Sequence, residues 1–221
     1  MSYHHGDLHR ALVDAALALV AETGRWDLSL REVARRAGVS HNAPYAHFQD
    51  KGALLAAVGV RVYERLRATT TAAAAGGRTA EETLVAVGRA YIAFGLGNVA
   101  LYRLMSGQGL SVDGRLPEPV RAAAEAARGV LRDIIVQGGR DGSFDLDPDD
   151  GTDVAAAVVA AWSLVHGFTL LAIDGMAARE THVETARLTE MTLRRFMKGL
   201  TRQSSPGSGA AACIQVDACA G

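Results

Sequence analysis

A cluster of polar and aromatic side chains between positions 40 and 51 has the clearest chemical potential in this sequence. The cluster offers hydroxyl, imidazole, amide, phenol and ammonium groups beside two small residues, and consists of Ser40, His41, Asn42, Ala43, Pro44, Tyr45, His47 and Lys51. Short polar side chains at the start of a helix can reach base edges in the major groove of DNA. Phenol, imidazole and ammonium groups can donate to phosphate oxygens. The cluster therefore predicts a surface that recognises nucleic acid.

A capped helix is expected immediately before this cluster. Ser29 and Glu32 have the spacing of a capping box, in which each residue's side chain accepts from the other's backbone N–H. Apolar residues then recur at helical spacing on one face, namely Leu30, Val33, Ala34 and Ala37. Arg31, Arg35 and Arg36 lie off that face, where Arg35 and Arg36 could equally form an ordinary solvated surface. We count Ser29, at the start of this helix, among the candidate DNA contacts.

A glycine turn and a second helix are expected to complete the motif. Gly38 follows where the end of a helix needs a residue in the left-handed conformation. Ser40 is expected to cap the second helix, whose first turn would enter the groove. Pro44 lacks an N–H, so it removes the bond back to Ser40 and should disturb only the first turn. The sequence therefore predicts a helix-turn-helix with a slightly irregular recognition helix.

The order of these features resembles a known family. From Tyr3 to about Leu66 the sequence is similar to the N-terminal domain of the TetR family of bacterial transcriptional repressors, through the string LREVARRAGVSHNAPYAHFQDKGALL. The resemblance implies operator contacts at the positions of Arg31, His41, Asn42 and Ala43, and phosphate contacts at those of Tyr45, His47 and Lys51. Two positions depart from the family: Ala43 lacks a hydroxyl that is often found there, and Pro44 replaces a common leucine. The details of base readout are therefore open.

Composition predicts a cytoplasmic protein that does not enter a membrane. Hydrophobic residues make up 49% of the 221 residues, but no uninterrupted apolar run reaches the ~18 residues that argue for a membrane span. No secretory signal is apparent after the polar start of the sequence. Both cysteines, Cys213 and Cys219, lie in the last nine residues, so we expect no disulfide framework and no zinc site. We also expect no cofactor.

The part of the chain that carries the motif has a more positive net charge than the rest. The net charge is −1, but residues 1–67 hold nine Lys and Arg against seven Asp and Glu, and the remaining residues hold fourteen against seventeen. Five of the seven histidines also lie in residues 1–67. Because such a modest charge attracts DNA only weakly, affinity should depend on placed hydrogen bonds and on a second copy of the motif.

Helical periodicity along nearly the whole chain predicts an all-α fold. Asp7 is expected to cap the first helix and Asp50 a long connecting helix, while Thr79 and Glu82 form a second capping box. We divide the chain into a helix-turn-helix DNA-binding domain at 1–67, a helical effector-binding and dimerisation domain at 68–202, and a tail at 203–221. The tail is rich in Ser, Gly and Ala, which is typical of disorder.

The helix expected from about Val154 to Ile173 is apolar on more than one face. It could be a central core helix, or it could pair with the last helix, Glu184 to Leu200, across a homodimer. The segment WSLVHGFTLLAIDG also resembles the C-terminal domain of a TetR subgroup that bears a Trp...His-Gly signature. The family resemblance implies a homodimer through a four-helix bundle of the last two helices.

Aromatic and polar residues of the middle helices predict a pocket for a small-molecule effector. The candidate lining residues combine aromatic walls with a few polar groups, and are Tyr91, Phe94, Tyr102, Arg103, Met105, Trp162 and His166. His166 could equally be a core histidine with satisfied hydrogen bonds. Together with this pocket, the family resemblance implies a ligand-responsive repressor that binds a palindromic operator as a dimer. The sequence names neither the operator nor the effector.

A small helical enzyme and a metal-binding protein are the competing classes. His166 and Asp174 could form an acid-base pair, but eight positions along one helix span about 12 Å, which is beyond hydrogen-bond reach. No phosphate-binding loop or nucleophile elbow is present. His4, His5 and His9 could bind a metal together with Asp7, or could form an N-terminal arm near DNA. We therefore expect no catalytic residues and no metal site.

Overall fold

The computed structural model describes residues 5–106, 110–111 and 115–201, and this part of the chain is helical without a strand. The helices are α1 (His5–Thr23), α2 (Leu30–Arg36), a 3-10 helix (Ala43–Ala46), α3 (Lys51–Ala74), α4 (Ala80–Gly97), α5 (Val99–Ser106), α6 (Glu118–Arg140), α7 (Gly151–Ile173), α8 (Met176–Thr181) and α9 (Thr185–Leu200). The all-α prediction is confirmed. The predicted tail at 203–221, with its two cysteines, lies outside the described residues.

Short-range sequence signals account for most helix ends. The Asp50 side chain accepts from Ala53 N–H at 2.8 Å, and the Thr79 hydroxyl accepts from Glu82 N–H at 3.1 Å, so α3 and α4 begin where the caps predict. The first helix differs, because α1 begins at His5 and Asp7 lies inside it rather than at its cap.

The first three helices and the 3-10 helix form the N-terminal unit. Leu12, Val33 and Phe48 are almost fully buried and belong to one apolar cluster that also includes Leu54 and Val58 of α3. This cluster does not stop at the N-terminal unit, because it continues into α5 and reaches the start of α6. We refer to it as the shared core. Through it, α3 and α5 fix the position of the helix-turn-helix.

The second half of the chain surrounds α4. Helices α4 and α5 meet at a bend of 106°, and α6, α7 and α9 pack against α4. Two smaller apolar clusters hold this part together, one around Phe144 and one around Ile92 and Phe168. The long helix α3 packs against both α4 and α6, so it connects the N-terminal unit to the C-terminal helices.

Helix α7 has an unusually apolar composition. With 23 residues and a mean hydropathy of 1.9 over its most apolar stretch, it meets the length and composition of a membrane span. Its buried face carries Val154, Ala161 and Val165. The opposite face is exposed, with Val159 54% and Leu171 45% accessible. The single chain therefore leaves an apolar surface on α7 uncovered.

Candidate nucleic-acid interface and internal cavity

A complete capping box fixes the start of α2. The Ser29 hydroxyl accepts from Glu32 N–H at 3.2 Å, and a Glu32 carboxylate oxygen accepts from Ser29 N–H at 2.8 Å. These backbone and hydroxyl hydrogen bonds from Ser29 lower the pKa of the Glu32 carboxyl. The box leaves Arg31 in the first turn of α2 on the exposed side of the helix.

A glycine in the left-handed conformation ends α2. Gly38 has a φ of 70°, and its N–H donates to Arg35 C=O at 3.2 Å. Val39 N–H donates to Ala34 C=O at 3.0 Å, which completes the paired bonds of a Schellman motif. The turn reverses the chain and brings the next segment back against α2. The predicted glycine turn is therefore confirmed.

The predicted recognition helix is wrong in its details. The chain forms a turn at His41 and Asn42 and then a 3-10 helix, Ala43–Ala46, whose N-cap is Asn42 instead of Ser40. Ser40 C=O accepts from Ala43 N–H at 3.0 Å, in the three-residue spacing of a tight turn. Pro44 has no N–H to donate to Ser40 C=O, so the four-residue α-helical spacing cannot start there. The proline therefore affects the whole segment rather than only one turn.

Most of the candidate DNA-contact side chains are exposed. The exposed ones are Ser29, Arg31, Ser40, His41, Asn42, Tyr45 and Lys51, with Tyr45 54% accessible. Ala43 and His47 are half-buried, and the His47 ring lies edge-on to His9 with 6.0 Å between centroids. Pro44 is buried completely, so its side chain supports the unit and offers no surface to a ligand.

Two arginines near this surface are held by carboxylates. Arg36 forms an ion pair with Glu22 of α1, and Arg25 pairs with Asp27 at 2.7 Å. Within the described part of the chain, Arg31 and Lys51 form no ion pair, so their charges remain available to an anion. Lys51 stands at the start of α3, where the helix N-terminus also favours negative charge.

An internal cavity of about 330 Å³ lies between α3, α4, α6, α7 and α9. Four of the predicted lining residues border it, namely Tyr91, Met105, Trp162 and His166. Three others do not. Phe94 packs into the shared core, and Arg103 points outward to an ion pair with Asp174. Tyr102 is fully buried behind the wall. The bend between α4 and α5 turns Phe94 and Arg103 away from the cavity.

Two tyrosines and a histidine form a polar cluster at the cavity, with Tyr91 and His166 on its wall and Tyr102 buried behind them. The Tyr102 hydroxyl lies 2.8 Å from His166 Nδ1 and 3.2 Å from the Tyr91 hydroxyl. Burial lowers the pKa of His166, so the imidazole is neutral and Nδ1 can accept from a phenol. Burial also raises the pKa of Tyr91 and of Tyr102, so both phenols remain protonated. We call Tyr91, Tyr102 and His166 the polar triad.

The sequence analysis missed the contribution of α6 and α9 to the cavity. Arg128 of α6 lies over the Trp162 ring, with its guanidinium carbon 5.5 Å from the ring centroid. Further lining residues from these two helices are Ala124, Ala127, Val130, Leu131, Leu193, Phe196 and Met197. Their spacing of three and four residues along α6 is visible in the sequence. That pattern shows an apolar face but not which helices it meets.

The pairing considered for an enzyme is not formed. His166 belongs to the polar triad, while Asp174 is paired with Arg103. The metal ligands considered in the sequence include His4, His5 and Asp7, whose side chains lie outside the described residues. Among the side chains that are described, no group of three from His, Cys, Asp and Glu is placed to hold a metal ion.

Two family models match the chain. The model described as "Tetracyclin repressor-like, C-terminal domain" matches residues 84–196, and "Bacterial regulatory proteins, tetR family" matches residues 12–58. The second range contains the helix-turn-helix, and the first contains the lining residues of α4, α5, α6, α7 and α9 except Met197. Together they cover most of the described part of the chain.

Individual proteins are also similar to this chain, in sequence or in structure. The chain is 48% identical to the HTH-type transcriptional regulator BetI of Serratia proteamaculans (strain 568) over 46 residues, 21% of this chain and 23% of that protein. A protein of unknown function from Rhodococcus sp. RHA1 has a similar structure, with a TM-score of 0.78, 29% identity and coverage of 91% and 100% of the two chains. The regulator FadR from Bacillus subtilis, solved with stearoyl-CoA, has a TM-score of 0.67, 17% identity and coverage of 87% and 99%.

Proposed function

The chain belongs to the TetR family of bacterial transcriptional regulators, and from this membership we propose that it is a ligand-responsive repressor that binds a palindromic operator as a homodimer. The observation that carries the proposal is the position of α3. This helix begins at Lys51 beside the candidate DNA contacts, and its residues Tyr63, Leu66 and Thr70 border the cavity. One rigid element therefore connects the two functional regions.

The turn and 3-10 segment after Gly38 supplies the base contacts in this proposal. His41 and Asn42 are exposed and adjacent, and their side chains carry the donors and acceptors that read base edges. Arg31 adds a charged donor from α2, while Tyr45 and Lys51 contact phosphates on either side. Because the segment is short, we expect few base contacts from each protomer, so that specificity depends on two half-sites.

The uncovered face of α7 supports dimerisation. Val159 and Leu171 are exposed on α7, and Met191 is 47% accessible on α9. Between the two α7 residues the same side carries Ser163 and Gly167, whose small side chains permit close approach of a second helix. A water-soluble regulator gains by burying such a face. We propose that α7 and α9 of two protomers form the four-helix bundle.

Release of the operator follows from a change in the spacing of the two DNA-binding units. Two recognition segments must lie about 34 to 36 Å apart to enter successive major grooves. A ligand that moves the cavity end of α3 would change this spacing in the dimer, because the same helix carries Lys51 at its other end. The location that we propose for this action is the cytoplasm, where bacterial DNA is found.

A binding assay on two DNA fragments tests the proposal. The wild-type protein is titrated into a labelled fragment from upstream of its own gene and into an unrelated fragment of the same length, and fluorescence anisotropy is recorded at several salt concentrations. We expect tighter binding to the upstream fragment, by about 4 kcal/mol or more. Equal affinity for both fragments at every salt concentration would contradict an operator-binding function. Selection from a random DNA pool covers the case in which the operator lies elsewhere.

A further inference from the structure

A positive charge lies on the wall of an otherwise apolar cavity. Arg128 borders the cavity from α6, and its guanidinium faces the ring of Trp162 at 5.5 Å. The charge also reaches two phenols, because it acts to lower the pKa of both Tyr63 and Tyr91 against the larger effect of burial.

Among the side chains that the structure describes, no carboxylate pairs with Arg128. The lining residues that the structure describes include no aspartate or glutamate, and Arg128 forms no ion pair with any described residue. The neighbouring acidic residue on α6, Glu125, is paired with Arg121 at 2.6 Å. A guanidinium presents a planar set of donors that matches a carboxylate in a bidentate arrangement. The charge thus favours an anionic partner.

The rest of the cavity wall favours a ligand whose main part is apolar and of limited size. Leucine, valine, alanine, phenylalanine and methionine side chains make up most of the lining. An apolar cavity of about 150 Å³ accommodates benzene, so one of 330 Å³ has room for roughly a dozen non-hydrogen atoms. The volume excludes a large coenzyme conjugate as a fully enclosed ligand.

We infer that the effector is a medium-sized carboxylate, with an aliphatic or aromatic body in the apolar cavity and its carboxylate on Arg128. This inference rests on the proposed role of the cavity as the effector site. The carboxylate accepts two hydrogen bonds from the guanidinium. The apolar body lies between α4, α6 and α7.

Three probes with the same ten-carbon chain test the charge preference. Sodium decanoate, 1-decanol and decyltrimethylammonium, each below its micelle concentration, are titrated into the wild-type protein by calorimetry. We expect decanoate to bind about tenfold or more tighter than decanol, because a hydrogen bond to a charged group is worth more than one to a neutral group. The cation should bind most weakly. Equal binding of decanoate and decanol, or no binding of decanoate, overturns the inference.

Substitutions locate the carboxylate. Arg128→Gln should abolish the preference for decanoate over decanol, and Arg128→Lys should keep part of it. Arg132→Gln is the matched control, because Arg132 lies one turn further along α6, is exposed and does not border the cavity. An unchanged preference in Arg128→Gln overturns the assignment of Arg128. The wild-type comparison of the three probes keeps the inference testable even if a variant folds poorly.

A fluorescence readout separates binding in the cavity from binding elsewhere. The chain has two tryptophans, so Trp26→Phe leaves Trp162 as the only indole. Decanoate should change the Trp162 emission with the same Kd that calorimetry gives, and no change in emission at saturation contradicts a cavity site.

The repressor proposal is judged by a separate measurement. Operator affinity is recorded without and with saturating decanoate. If decanoate binds through Arg128 but does not release the operator, the proposed induction is contradicted and the proposed ligand class is not. If the protein binds the operator but does not prefer decanoate to decanol, the proposed ligand class is contradicted and DNA recognition is not.

Discussion

The side chains that we propose to contact DNA divide into two kinds. His41 and Asn42 carry donors and acceptors in a fixed turn, whereas Lys51 supplies an ammonium at the start of α3. A base contact depends on the sequence of the DNA, while a phosphate contact does not. The two kinds should therefore respond differently to mutation and to salt.

We expect His41→Ala or Asn42→Ala to weaken binding to the operator by about 1 to 3 kcal/mol, and binding to unrelated DNA by less. Lys51→Ala should weaken both alike and reduce the slope of affinity against salt, because it removes a phosphate contact. Anisotropy titrations on both DNAs over a range of salt concentrations make the comparison. If His41→Ala leaves the ratio of the two affinities unchanged, the histidine does not read a base.

The polar triad makes stability depend on pH through one histidine. The pKa of His166 lies below its ordinary value of 6.5 because of burial. As the pH falls through 6.5, the unfolded chain takes up a proton while the folded protein does not, so the free energy of unfolding decreases. The decrease ends below the lowered pKa of the folded state, where both states are protonated.

We therefore expect the free energy of unfolding, measured by urea denaturation, to fall between pH 7 and pH 5 in the wild-type protein. His166→Gln should have a flatter pH dependence in that window, whatever its effect on stability at pH 7. His41→Gln is the control, because His41 is exposed. An identical pH dependence in wild type and His166→Gln would show that this imidazole titrates as it does in the unfolded chain.

At the scale of elements, the ends of helices were easier to predict than the contacts between them. Caps at Ser29, Asp50 and Thr79 act within three or four residues, so their geometry is already present in the local sequence. The sequence identifies Pro44 as a defect but not its extent, because the whole of Ala43–Ala46 is a 3-10 helix and a bond of four-residue spacing forms only at Phe48 N–H, to Pro44 C=O. The cavity wall was predicted from α4, α5 and α7 alone. Which faces meet is decided by packing over long sequence separations, as for Arg128 and Trp162.

The turn that ends α2 depends on a glycine. Gly38→Ala should lower the free energy of unfolding by about 1 to 2 kcal/mol, because an alanine in the left-handed conformation is strained. Gly129→Ala is a control for which we expect the opposite effect. Gly129 lies within α6, and a Cβ added there would meet no neighbouring atom, so alanine should stabilise that helix by roughly 0.5 to 1 kcal/mol. Urea denaturation of both variants measures the difference. Equal effects of the two substitutions would contradict a special role for the turn.

At the scale of the whole molecule, the uncovered face of α7 determines the state of assembly that we propose. Val159→Glu places a carboxylate in the proposed seam of each protomer, and an uncompensated buried charge costs roughly 3 kcal/mol or more. We expect the dimer to dissociate in sedimentation experiments and operator affinity to fall with it. Val99→Glu is the matched control, because Val99 is 40% accessible and lies on α5. A Val159→Glu protein that remains a dimer would place the seam elsewhere.

Coupling between the cavity and the operator is the second property of the whole molecule. A ligand could favour, by ~3 kcal/mol, a dimer whose recognition segments do not have the spacing of successive major grooves. Such a ligand would reduce operator affinity by roughly a hundredfold, and the operator would weaken ligand binding by the same factor. Trp162→Ala enlarges the cavity, so it should blunt this response and spare operator binding by the empty protein. Anisotropy without and with decanoate measures both quantities. A folded, dimeric Trp162→Ala protein that no longer binds operator would contradict the mechanism.

The shared core restricts how such a regulator can be recombined. Leu104 and Tyr102 of α5 are fully buried in the same cluster as Val58 and Val62 of α3. A DNA-reading part cut out at residue 67 would lose these partners and would also split α3, which continues to Ala74. A chimera that takes its DNA-binding unit from a relative should therefore fold only when α5 comes from the same relative. A fusion made at residue 67, the domain boundary expected from the sequence, should give an unstable protein.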